Sequence, residues 1–271
     1  MNAFARHFSF EFNTGIRNRT LLFLTYLFPL LAYLLFGALM TSVNPAFRET
    51  MVPAMVVFAV LSGTLLSIPD QIVNARKAGI FRSYKINGVP ALSILARPAL
   101  AVLLHLVVIA AIITFTAPWL FQAPLPASWP GYALVFLLSV AAFSGLSLLI
   151  GVISASSQMT VLWAQLIYLP SMILGGLMVP VSILPKALGK IAMLLPTSYA
   201  MQAFRGLAMG LPASFDPLWA MLILLAGSLL AFGLAFYLFT WDSQDARTRK
   251  RLPLAALALL PYLLGMLLLN I

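Results

Sequence analysis

The sequence predicts an all-α fold: a polytopic membrane bundle of six transmembrane helices, with a seventh apolar segment at the C-terminus. Three observations carry this. Of 271 residues, 62% are hydrophobic and 8% charged, and mean hydropathy is +1.03. Six acidic residues cannot solvate a soluble surface of this size. Long uncharged runs recur at the length of a bilayer crossing, roughly 20 residues. Nothing alternates as a barrel strand does, and backbone groups cannot stay unpaired in lipid, so the spans are helices.

The uncharged runs are Leu21–Met40, Met51–Ile68, Pro98–Phe121, Gly131–Ser154, Met159–Val181, Leu218–Trp241 and Leu252–Ile271. The last carries Pro253 and Pro261, which bend or break a helix. No cleavage site follows the first run convincingly, so it is expected to be a retained helix and not a signal peptide. In the leader, residues 1–20, Phe4, Phe8 and Phe12 recur every four residues, with Arg6, Glu11 and Asn13 elsewhere on the wheel. This is the pattern of an interfacial amphipathic helix; an unstructured charged leader is the competing reading. No repeat or linker divides residues 1–271, which form a single membrane domain.

The net charge of +10 is clustered between the apolar runs. That is the distribution of cytoplasmic loops held against anionic lipid headgroups, not of a nucleic-acid binder. Arg6, Arg17 and Arg19 precede the first span, and Arg76, Lys77, Arg82, Lys85 and Arg97 follow the second. Arg247, Arg249, Lys250 and Arg251 follow the sixth. The bias places the N-terminus in the cytoplasm and, if the seventh segment spans, Ile271 outside. The 69–97 loop is then cytoplasmic. The 182–217 stretch is external, and its short apolar pieces, interrupted by Pro185, Pro196 and Pro212, fit re-entrant half-helices. Arg205 lies there, paired with Asp216, solvated or bound to lipid phosphate.

Absences narrow the function. There is no phosphate-binding G-x-x-x-x-G-K-[ST] loop, no H-E-x-x-H, no G-x-S-x-G and no cysteine, and only two histidines. No cofactor or metal is expected. The spans carry no internal Asp, Glu, Lys or Arg, whereas ion-coupled carriers usually place a carboxylate in the membrane. His105 is the ionisable group well inside a span; it either meets substrate or relays a proton, or it hydrogen-bonds a neighbouring helix. Two small-residue stripes, Ser147/Gly151/Ala155 and Gly227/Ala231/Ala235, admit close helix approach. A dimer seam and packing within the chain explain them equally.

Two stretches carry a family resemblance. The first runs Asn74-Ala-Arg-Lys-Ala-Gly-Ile-Phe-Arg-Ser-Tyr-Lys-Ile-Asn-Gly-Val-Pro90; the second joins Gly175-Gly-Leu-Met-Val-Pro180, Leu195-Pro-Thr-Ser-Tyr199 and Gln202-Ala-Phe-Arg205. In that order, after an amphipathic leader, they resemble the ABC type-2 permeases, the membrane subunits of bacterial ATP-binding cassette exporters, over roughly residues 1–245. Such permeases usually have six spans, and acidic residues before the coupling-region glycine; here Ala75 and Ala78 flank Arg76 and Lys77.

The resemblance implies two permease chains, as a homodimer or with a close homologue, joined to two separate ATPase chains. The permease itself does no covalent chemistry. It moves a hydrophobic or amphipathic substrate such as a drug, antibiotic, lipid or glycan. The expected ATPase-coupling interface is Arg76, Lys77, Gly79, Ile80, Phe81, Arg82, Tyr84 and Lys85, on one helix over Asn74–Asn87. Phe81 and Tyr84, at i and i+3, would be its anchors. A loop that only holds lipid headgroups is the alternative. The external hairpin is marked by Pro185, Pro196, Tyr199 and Arg205. The competing function is an ATP-independent carrier or lipid scramblase.

Overall fold

The computed structural model describes residues 22–178, 184–241 and 252–269, and every regular element among them is a helix. The amphipathic leader and the basic 242–251 loop, each singled out in the sequence, lie outside the described residues. In chain order the elements are α1 (Phe28–Val43, after a π-helical turn Phe23–Leu27), α2 (Phe47–Leu65), α3 (Ile68–Lys77), α4 (Ile80–Ile86), α5 (Ala91–Phe121), α6 (Trp129–Ile153), α7 (Ser157–Leu174), α8 (Lys186–Ala192), α9 (Pro196–Ala203), α10 (Pro217–Leu238) and α11 (Leu260–Leu268). A second π turn, Phe204–Ala208, follows α9, and a 3-10 stretch, Leu252–Leu259, leads into α11.

Among the described residues five helices are long and apolar enough to cross a membrane: Phe23–Val43, Phe47–Lys77, Ala91–Phe121, Trp129–Ile153 and Pro217–Leu238. The run expected as Met159–Val181 instead ends its helix at Leu174, because Gly175 and Gly176 follow, the latter at φ +81°. At 18 residues, α7 is about 27 Å long, and Gln158 and Gln165 make it less apolar than the others. Two helices are longer than expected. Phe47–Lys77 and Ala91–Phe121 each have 31 residues, about 46 Å, so each projects past a 30 Å hydrocarbon core. The third span begins at Ala91, and Pro98 is absorbed inside it.

The bundle is organised around α2, whose most apolar stretch is 94% buried. Neighbours surround it: α1, α5, α6, α7 and α9. Its hydroxyls cost nothing in this setting, since Ser62 and Thr64 donate to carbonyls one turn back. On α1, Pro29 lacks the N–H that would reach the carbonyl four residues earlier, and the turn before it opens to a π helix with Phe28 N–H donating to Phe23. Tyr33 of α1 then bonds Thr116 of α5 at 2.9 Å.

The final segment runs antiparallel to α10. Tyr262, fully buried, sits in the notch left by Gly227, where an added Cβ would lie 2.3 Å from its Oη. One turn on, Gly265 leaves the same kind of space for the Tyr199 hydroxyl. Eight 3-10 residues rising ~2.0 Å each and nine α residues rising ~1.5 Å each extend about 30 Å, the depth of the hydrocarbon core.

Both small-residue stripes make their contacts within the chain, except at Ala155, which is exposed. Gly145 and Ala231 bring α6 against α10, with Gly227 under Tyr262, while Gly151 lies against Pro69 and Ile72 of α3. The sequence left packing and dimerisation open for these stripes; contacts inside the chain occupy every position of them but Ala155.

Candidate functional site

The two projecting helices carry α4 between them. The stretch 69–97 is helical in three pieces, where the sequence suggested a loop containing one helix over Asn74–Asn87. The break falls at Gly79, which sits at φ +72° with nothing near its missing Cβ. Its role is therefore conformational: a left-handed residue stops α3 and redirects the chain into α4. Gly88, at φ +71°, does the same at the exit.

Phe81 and Tyr84 share a face, as their spacing requires, but that face points into the bundle. Phe81 is 2% exposed, with its ring 5.3 Å from that of Phe239 at the end of α10. Tyr84 is half-buried, and its hydroxyl accepts from the Arg97 guanidinium at 3.0 Å. The aromatic pair thus seats α4 on the ends of α10 and α5 and is turned away from an incoming partner. The outward face presents Ile80, Arg82, Ser83, Lys85 and Ile86, with Lys77 beside them. Ile86 is 80% exposed, an apolar side chain with basic neighbours and little cover among the described residues.

Arg76 departs furthest from expectation. It is buried, and its guanidinium reaches across to the end of α6, donating to Val152 O at 2.8 Å and to Ser154 O. Those are two of the carbonyls that the last turn of a helix leaves unpaired. The Nε hydrogen is buried without a partner. Nearby, Ser157 at the start of α7 donates to Asn74, which in turn donates to Asp70. Lys77 alone of the basic pair is exposed.

At the other end of the bundle, α8 follows exposed Pro185 and α9 begins at Pro196, each proline supplying a helix start that needs no N–H. All eight residues of α9 are buried. Tyr199 contacts Phe215 and Tyr262 and donates to the Tyr262 carbonyl at 3.3 Å. Arg205 does not pair with Asp216. It donates twice to Pro212 O, at 3.0 and 2.9 Å, while Asp216 caps α10 through Leu218 N–H. Gln202 and Ser214 exchange two hydrogen bonds. This end is a stapled, closed turn.

His105, fully enclosed, bonds the Tyr26 hydroxyl through Nδ1 at 2.8 Å, tying α5 to the π turn ahead of α1. Among the described residues no three His, Asp or Glu side chains group to hold a metal.

The family model for the ABC-2 type transporter matches residues 4–209, from the leader through α9 and its π turn. The chain belongs to the ABC-2 type transporter family. It is an ABC-2 permease, a multi-pass membrane component of an ABC transporter, and the family implies an ATP-binding cassette subunit as partner. No curated protein and no solved structure matches the permease significantly. The family match ends before α10, so the notch at Gly227 and the segment that fills it lie beyond it.

Proposed function

We propose that this permease is the membrane subunit of an ATP-driven exporter, taking its energy from a separate ATPase chain that docks on the outward face of α4. The chain itself would carry out no catalysis, moving a hydrophobic or amphipathic substrate between two permease copies. One observation carries the reading. Ile80 and Ile86 are exposed on a short helix rimmed by Lys77, Arg82 and Lys85, at the tip of the two longest helices. Exposed aliphatic anchors within a charged rim suit a protein partner; the rim steers the encounter and the anchors hold it. A headgroup-binding loop needs the charges and gains nothing from the isoleucines.

The second copy, identical or closely related, would meet α7. Gly151, Gly227 and Ala231 are already occupied within the chain, whereas Val161, Leu162, Leu166 and Leu169 of α7 are exposed, an apolar face that a neighbouring helix would cover.

In this reading α4 is cytoplasmic in a bacterial plasma membrane, with the N-terminus on the same side. The α8–α9 hairpin and the end of α11 lie outside. Single cysteines replacing Ser83 and Ala187 should label from opposite sides of the membrane in this cysteine-free chain. Labelling of both from outside intact cells would reverse or break that map.

Affinity purification of the full permease from its native membrane should bring down a P-loop ATPase, and reconstituted vesicles should translocate a fluorescent amphiphile only with ATP. Translocation without ATP or ATPase would identify a carrier or scramblase instead.

A further inference from the structure

The coupling face and the membrane helices that must respond to it are separated by α3, and what joins α3 to the rest of the bundle is specific. Three contacts line up along it. Pro69 and Ile72 fill the space at Gly151, Arg76 forks onto Val152 O and Ser154 O, and Asn74 accepts from Ser157. Together they bind α3 to the end of α6 and the beginning of α7, across a turn only three residues long, Ser154–Ser156. The Arg76 contact is the one a surface role cannot explain. A guanidinium taken from water is costly unless its donors are used, and here two are spent on terminal carbonyls of another helix.

We propose that Arg76 is a positioning residue that passes displacement of α4 to the α6–α7 turn, so that α3, α6 and α7 move as one unit. This rests on the reading of α4 as the ATPase-docking helix. Without the guanidinium, α4 and α3 would shift while the α6–α7 turn lagged. ATPase binding and hydrolysis would continue and transport would fail.

The test uses the full permease with its ATPase subunit in vesicles. Arg76→Ala is expected to keep ATPase recovery while amphiphile transport falls about tenfold, the size of a coupling change within 0.5–2 kcal/mol. Arg76→Lys, which reaches one carbonyl but cannot fork, should recover part of the transport. The decisive arm adds Asn74→Cys and Ser157→Cys to Arg76→Ala, an exposed and a half-buried position already in contact. Oxidation to a disulfide should restore transport and reduction should abolish it. Normal transport in Arg76→Ala, loss of ATPase recovery in that variant, or no rescue on oxidation would each overturn the proposal.

A second arm needs no ATPase. Nitroxides at Ser83 and Gln158 of the permease alone should give a narrow distance distribution, broadened by Arg76→Ala and partly narrowed by Arg76→Lys. An unchanged distribution in Arg76→Ala refutes the tether. If the unmodified permease binds no ATPase, the docking reading falls and this arm alone decides what Arg76 holds.

Discussion

Replacing Ile80 and Ile86 together by aspartate is expected to reduce recovery of the ATPase subunit by at least about tenfold, with the permease still folded. The size follows from hot-spot behaviour: each anchor in a desolvated pocket is worth about 2 kcal/mol, and a carboxylate forced into that pocket adds its own desolvation cost. Both side chains are exposed in the chain, Ile86 at 80%, so its thermal unfolding midpoint should barely change. Phe81→Ala is the informative contrast. Phe81 is buried against Phe239, so truncation removes a core aromatic at about 3–5 kcal/mol and unseats α4 from the end of α10. That variant should lose both thermal stability and ATPase recovery. Co-purification and thermal unfolding on the two sets separate a docking residue from a seating residue. Retained ATPase recovery with both isoleucines replaced would move the docking surface off α4.

Gly227→Leu is expected to release the C-terminal segment from α10. A Cβ alone would sit 2.3 Å from Tyr262 Oη and 2.6 Å from its Cζ, and Tyr262 is fully buried, with no slack in which to move. Overpacking of this kind typically costs about 1–3 kcal/mol, and a leucine with no room exceeds that range. The effect should extend to α9, because Tyr199 lies against both Tyr262 and Gly265. Amide hydrogen exchange should rise across Leu260–Leu268 and also in Pro196–Ala203. Gly233→Leu, on the same helix but with nothing within 4 Å of its missing Cβ, is the matched control and should leave exchange unchanged. Equal exchange in the two variants would mean that Tyr262 does not hold the segment in place.

These contrasts show how much of the site was legible beforehand. One helix was expected across Gly79, which instead breaks it; the shared face of Phe81 and Tyr84 follows from local rules. The direction of that face does not. It depends on Phe239, which is distant in sequence and ordinary in type, one of 19 phenylalanines. Arg76 misleads for a related reason. A basic residue beside Lys77 in a polar loop looks like its neighbour, and only the position of α6 reveals two unpaired carbonyls within its reach. The same holds for Arg205, whose partner is a backbone oxygen that no side-chain pattern announces.

The amino-acid sequence by itself determined that this is a helical membrane protein, roughly where its helices run, and that it lacks a phosphate loop. Each of these depends on something one-dimensional: the apolar length needed to cross hydrocarbon, the need of every backbone group for a nearby partner, and the presence or absence of a contiguous motif. The tertiary structure alone decided that Phe81 faces the bundle while Ile80 and Ile86 are exposed, and that Gly151, Gly227 and Ala231 are packed inside the chain. It also decided that Arg76 is an internal tether and that residues 252–269 lie along α10. In a chain that is 62% hydrophobic, lipid-facing and core-facing positions have the same composition, so periodicity cannot tell them apart. Only shape complementarity, a tyrosine in a glycine notch or a guanidinium over a helix end, distinguishes them.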